Sequence, residues 1–225
     1  MTRHFQREID KLKKKVLHVA AMVEENLQAA VRSVTRRDAM LAREVIERDN
    51  EIDQMEVELE EDCLKILALH QPVAFDLRFI VAALKINNDL ERIGDLAVNI
   101  AERTTEVARS QNHDVPFDLS GELDLAVWMV QKSVDALVNI DSAVAHDVLR
   151  SDDEIDALHR DAYTAIEEQI RQNPDQADYF ISLLGISRSL ERIGDHATNI
   201  AEDVIYMEGG EIVRHRGEDM LAQES

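Results

Sequence analysis

Chain breakers and cross-links are scarce in this sequence. Its 225 residues hold 3 Pro and 7 Gly, too few to punctuate a chain into short strands and turns, which argues for long helices. A single cysteine, Cys63, excludes an internal disulfide and fits a reducing compartment. It lies among apolar residues in a helical stretch and reads as core packing, not a reactive thiol. Aromatics make up only 4%, so the core must come from Leu, Ile, Val and Ala, as in helical bundles. No run approaches the ~18 apolar residues that a membrane span needs. The opening stretch, Met1 to Lys15, is polar and lacks the apolar segment of a secretory leader. These absences predict a cytoplasmic, all-α protein.

Apolar residues make up 45% of the chain and charged residues 32%, with a net charge of −21. The length suits one large domain or two of about 100 residues. So acidic a chain is a poor partner for nucleic acid, where affinity rests on Lys and Arg neutralising phosphates. The charge is uneven: residues 1–37 carry a net +5 and the remainder −26. Lys11, Lys13, Lys14 and Lys15 read as a solvated helix face or, more pointedly, as a docking patch for an acidic partner or a membrane surface.

The most informative feature is internal repetition. Residues 90–102 read LERIGDLAVNIAE and residues 190–202 read LERIGDHATNIAE, an offset of 100. Upstream, Asp49-Asn50-Glu51-Ile52-Asp53 is echoed by Asp152-Asp153-Glu154-Ile155-Asp156 at an offset of 103. Two echoes in the same order imply duplication, with one unit over residues 1–110 and another over 118–225. Each unit reads as three helices. In the first, a helix from about Phe5 to Thr35 is followed by a short helix capped by Asp38, then by a long stretch to His70. Pro72 opens the third helix. In the second, Asp118 or Ser120 caps the fourth helix, Ser151 and Glu154 offer a capping box for the fifth, and Asn173-Pro174 turns into the sixth. Residues 111–117 form the linker between the units. Phe79, Ala83, Ile86, Leu90, Ile93, Ala97 and Ile100 step by 4 and 3 along one helix face, as do Tyr179, Leu183, Ile186, Leu190, Ile193, Ala197 and Ile200. This is bundle-core spacing.

The acids fall off that seam. Glu91 and Asp95, four apart, share a helix face, which Asn99 and Glu102 continue. Asp49 and Asp53 form a matching pair on the preceding helix. If the chain reverses at Gln71-Pro72, all four lie roughly 27–35 Å from the turn at ~1.5 Å rise per residue. Packed helices roughly 8–10 Å apart then bring four carboxylates together. Asp152, Asp156, Glu191 and Asp195 repeat the arrangement about Asn173-Pro174, with Asn199 and Glu202 further along. Such crowding raises carboxylate pKa values unless a cation neutralises it. An all-oxygen set suits magnesium, calcium, manganese or iron. The plainer alternative is a solvated acidic face softened by Arg92 and Arg192. His159, three after Asp156, stands where the first unit has Glu56. Trp128 reads as core, and Leu77, Leu84 and Val98 leave part of the Glu91 face apolar, suited to meeting another surface.

At these residues the sequence resembles the PhoU family, regulators that accompany the high-affinity phosphate transporter of bacteria. The two thirteen-residue motifs carry the resemblance. Gln71-Pro72, Asp76-Leu77-Arg78-Phe79 and Gly210-Glu211-Ile212-Val213-Arg214-His215 support it. The resemblance implies two three-helix bundles related by a pseudo-twofold. It also implies multinuclear metal binding through the acidic motifs, with iron, manganese, magnesium or zinc as the ion. It further implies a cytoplasmic negative regulator of phosphate uptake and of the starvation response. Such a regulator links the phosphate ABC transporter to a sensor histidine kinase, forms homodimers, and meets the membrane only through its partners. It implies no catalysis. An oxygen-dependent di-iron enzyme, the main alternative, needs two Glu-x-x-His motifs, and the sequence has none. A purely structural helical repeat is the other alternative, and it predicts no bound metal.

Overall fold

The computed structural model describes residues 3–111 and 114–209. The supporting stretch Gly210 to His215 lies outside the described residues. Helices account for nearly all of them: α1 (Arg3–Arg36), α2 (Ala39–His70), α3 (Ala74–Arg109), α4 (Leu119–Asn139), α5 (Ser142–Arg150), α6 (Asp152–Gln172) and α7 (Ala177–Gly209). A 3-10 turn, Pro174–Gln176, leads into α7. There is no strand among the described residues. Helices α1–α3 pack as one bundle and α4–α7 as a second, with α3 and α7 meeting between them in the largest helix–helix interface.

Local chemistry sets the helix ends. Arg37 takes a left-handed φ of 50° and Asp38 N–H reaches back to Ser33 O at 2.9 Å, closing α1. The Asp38 carboxylate then accepts from the amides of Met40 and Leu41 and opens α2. The same device recurs 103 residues later. Ile140 has φ 51°, Asp141 N–H bonds Ala136 O, and the Asp141 carboxylate caps α5. Asp118, not Ser120, caps α4 through Gly121 N–H.

Two expectations for this region are corrected. The helix that Asp38 starts is not short; it runs unbroken to His70. The interruption falls in the second unit, at Ser151, between α5 and α6. The capping box there does not form. Ser151 ends α5 with helical dihedrals, and its hydroxyl is spent on Asp147 O at 3.1 Å. Its carbonyl, not its side chain, serves the amides of Glu154 and Ile155.

Both expected seams are buried throughout. Cys63 is buried, and burial pushes its thiol up to about 12, which makes it inert as a nucleophile. Trp128 is half-buried against the core. On α3 the burial extends well beyond the seam, to Ile80, Ala82, Asn87, Asp89, Leu96 and Ala101. The reason is that α3 has neighbours in α1, α2 and α7. Leu84 lies at the cleft between α3 and α7, so part of the surface met by this face belongs to the second unit.

Candidate metal centre

Each acidic cluster lies in a groove between two helices of its own hairpin. In the first unit α2 comes close to α3 at Gly94, where a Cβ would stand 3.1 Å from Asp49 Oδ1 and 3.6 Å from Ile52. At the equivalent Gly194 a Cβ would stand 2.9 Å from Ile155 Cγ2. The glycine of the repeated motif therefore permits a close helix approach in both units, and in the first it seats Asp49 against the neighbouring helix.

The consequence is electrostatic. Asp49 is pushed from the ordinary 3.8 to about 6, first by burial, then by repulsion from Asp53, Asp95 and Glu91. Glu91 is raised by burial and by Asp95, with Arg92 opposing and Glu56 and Asp53 adding to the push. The second unit repeats this. Asp152 rises to about 6 through burial, then Asp156, Asp195 and Asp153. Burial and mutual repulsion also raise Glu191 and Asp195. All eight acids of the four pairs thus fall into two mutually repelling groups of four.

In each group one oxygen is left over. Asp49 Oδ1 and Asp152 Oδ1 are buried and make no hydrogen bond among the described residues. They occupy equivalent places in the two units. A buried carboxylate oxygen without a donor is costly, and a hard cation is a group that would satisfy it. The donor chemistry fits the metal that the fold family implies. In the present side-chain arrangement, no three His, Cys, Asp or Glu among the described residues converge on a single centre. Arg92 engages Glu91 at 3.3 Å and Asp95 at 3.1 Å, and Arg160 lies 3.5 Å from Asp156. Arg92 is half-exposed, so leaving its carboxylates costs it little.

The remaining four residues of the two stripes lie elsewhere. Asn99 and Glu102 are exposed. Asn199 donates to Asp89 Oδ1 at 3.2 Å, across the boundary between the units, and Glu202 lines the same cleft of about 660 Å³. His196, which replaces Leu96 of the first unit, also binds Asp89 Oδ1 through Nδ1 at 2.8 Å.

Glu122 of α4 went unmarked in the sequence. It is fully buried, and burial raises it to about 7, while a hydrogen bond from Ser187 at 2.6 Å opposes the rise. The signal was its phase: it falls on the apolar stripe of Leu119, Leu123, Ala126, Met129 and Val130. Ser187 in turn meets His159 Nδ1 at 2.7 Å. Burial and Arg188 lower the pKa of His159, with Asp156 opposing.

A duplicated all-α bundle with a pair of acidic grooves is the class of protein that fold and site define. The family model for the PhoU domain matches residues 16–104 and 120–204, one copy per unit. The chain belongs to the PhoU family. It is 37% identical to phosphate-specific transport system accessory protein PhoU homolog 1 of Thermotoga maritima, over 92% of this chain and 90% of that protein. Among solved structures it resembles PhoU from Pseudomonas aeruginosa, with a TM-score of 0.86 and 34% identity over 92% of this chain and 100% of the other. It also resembles the phosphate transport system regulatory protein PhoU from Streptococcus pneumoniae, with a TM-score of 0.82 and 28% identity over 93% and 99%. None of these names denotes an enzyme. No helix among the described residues is long and apolar enough to cross a membrane.

Proposed function

We propose that this chain is a cytoplasmic negative regulator of phosphate uptake and of the phosphate-starvation response. It acts as an adaptor between the phosphate ABC transporter and a sensor histidine kinase. The observation that carries the reading is two matched PhoU domains spanning most of the chain, alongside relatives named for the phosphate transport system. The test is genetic. Deletion of the gene should raise phosphate uptake and switch on starvation genes in phosphate-rich medium. Unchanged repression in the deletion strain overturns the reading.

The same proposal includes cation binding, as iron, manganese, magnesium or zinc. Asp49, Asp53, Glu91 and Asp95 would hold the ion in the first unit, and Asp152, Asp156, Glu191 and Asp195 in the second. The two buried, unpartnered aspartate oxygens support this. A bound cation would supply positive charge where four carboxylates now repel. The protein's own part is structural. The acids of α2 and α3, or of α6 and α7, become one rigid face, and Arg92 is released to solvent. Such a change gives partners a surface that depends on occupancy. Elemental analysis of the purified protein, with Glu91→Ala and Asp95→Ala combined as the comparison, checks it. Metal content unaltered by those substitutions counts against the first site.

A further inference from the structure

The two acidic grooves are not copies of each other. In the first, the position one turn after Asp53 holds Glu56, whose backbone and side chain accept from Asn87 at 3.0 and 3.3 Å. Every donor atom around that groove is oxygen. In the second, His159 replaces Glu56 and Ser187 replaces Asn87. The pair brings a third residue with it, because Ser187 Oγ donates to buried Glu122 Oε1 at 2.6 Å.

Once Glu122 is ionised, above its pKa of about 7, proton counting assigns the imidazole tautomer. A serine hydroxyl has one proton, and here Glu122 receives it. The 2.7 Å contact between Ser187 Oγ and His159 Nδ1 then requires the proton on Nδ1. Nε2 is left with its lone pair, and no hydrogen bond engages it among the described residues. Orienting a histidine through one ring nitrogen so that the other is free is how proteins prepare a metal ligand. His159 lies one turn after Asp156 on α6, which places the ring beside a carboxylate of the second groove.

We infer that His159 is a nitrogen donor of the second cluster, positioned by Ser187 and Glu122, and that the second unit selects a borderline ion such as zinc where the all-oxygen first unit takes a hard ion such as manganese. Imidazole suits zinc and ferrous iron, whereas an all-carboxylate set suits magnesium and manganese. This inference rests on the reading that both grooves bind cations.

The experiment uses the full chain, stripped with chelator and titrated calorimetrically with zinc chloride or manganese chloride. Asp49→Asn with Glu91→Gln silences the first groove. In that background, His159→Gln should weaken zinc binding by about tenfold to a hundredfold, and Ser187→Ala by about tenfold. Manganese binding should change far less. Circular dichroism melting identifies any variant that fails to fold. In the wild-type chain, nitrogen-15 spectra should show zinc shifting the Nε2 resonance of His159, identified by its loss in His159→Gln, with Nδ1 still protonated. Equal zinc affinity with and without His159, or zinc on Nδ1, overturns the inference while leaving the acidic grooves as cation sites. Binding of neither metal to the wild-type chain removes the underlying reading as well.

Discussion

Three acids, half-buried Asp49 and Asp152 and fully buried Glu122, hold protons more tightly when folded than when unfolded. For an acid raised on folding, the native state binds more protons between the two pKa values, so stability falls as pH rises through that window. With respect to these groups the metal-free protein should therefore be most stable below about pH 4, under the ordinary values of 3.8 and 4.5, and lose stability as pH climbs from there through about 6 to 7. Calorimetric melting at pH 5 and pH 8 in chelator checks the sign. A divalent cation at pH 8 should recover much of the loss, and binding at pH 6 should release protons into the buffer. A higher melting temperature at pH 8 than at pH 5 in chelator would remove this account. The paired aspartates were legible in the sequence because i, i+4 spacing and the repeat placed them. Glu122 was overlooked, although its phase on the apolar stripe of α4 marked it as inward-facing.

At the scale of the helix, Asp38 and Asp141 perform the same job one repeat apart. Replacing either by Ala should cost about 1 kcal/mol, read from urea denaturation. Gly194 sets how near α6 comes to α7. Ala there gains about 1 kcal/mol of helix propensity but drives a methyl into Ile155, which is fully buried. Overpacking costs roughly 1–3 kcal/mol, so Gly194→Ala should be destabilising by about 1 kcal/mol. A gain in melting temperature would show that Ile155 yields. Most helix starts were readable from breakers and caps, but the Asp38 helix was read as short and the turn at Ile140-Asp141 that parts α4 from α5 was missed. The break at Ser151 was placed, but its mechanism was not. A capping box requires an extended backbone at the cap, and a serine that has not yet left the preceding helix lacks one. Among the described residues, the amides of Asp152 and Asp153 have no backbone acceptor. They should exchange hydrogen faster than those of Asp49 and Asn50, which lie inside continuous α2.

The whole molecule depends on α3 meeting α7. Lys85 reaches Asp203, which is almost fully buried, at 2.9 Å, while Asp89 receives His196 and Asn199. Lys85→Met should lower stability by about 2 kcal/mol, since it strips a buried carboxylate of a cationic partner. Because the units share this interface, thermal unfolding should remain one transition, with no separate melting of either half. Two resolved transitions in calorimetry would count against it. None of these cross-unit pairs was legible beforehand. Local patterns report which face of a helix is apolar. They do not report which polar residue 107 or 118 positions away will lie opposite.

Duplication would be expected to place every cross-unit contact twice, yet Lys85 and Asp203 have no mirrored twin. Their counterparts are Gly185, whose missing side chain leaves room for Arg103, and Arg103 itself. Two first halves joined face to face would therefore set Arg103 against Lys85, cation on cation, and two second halves would leave Asp203 facing bare backbone. At this contact a first half suits a second half and not a copy of itself, and fusion into one polypeptide supplies the two in equal number.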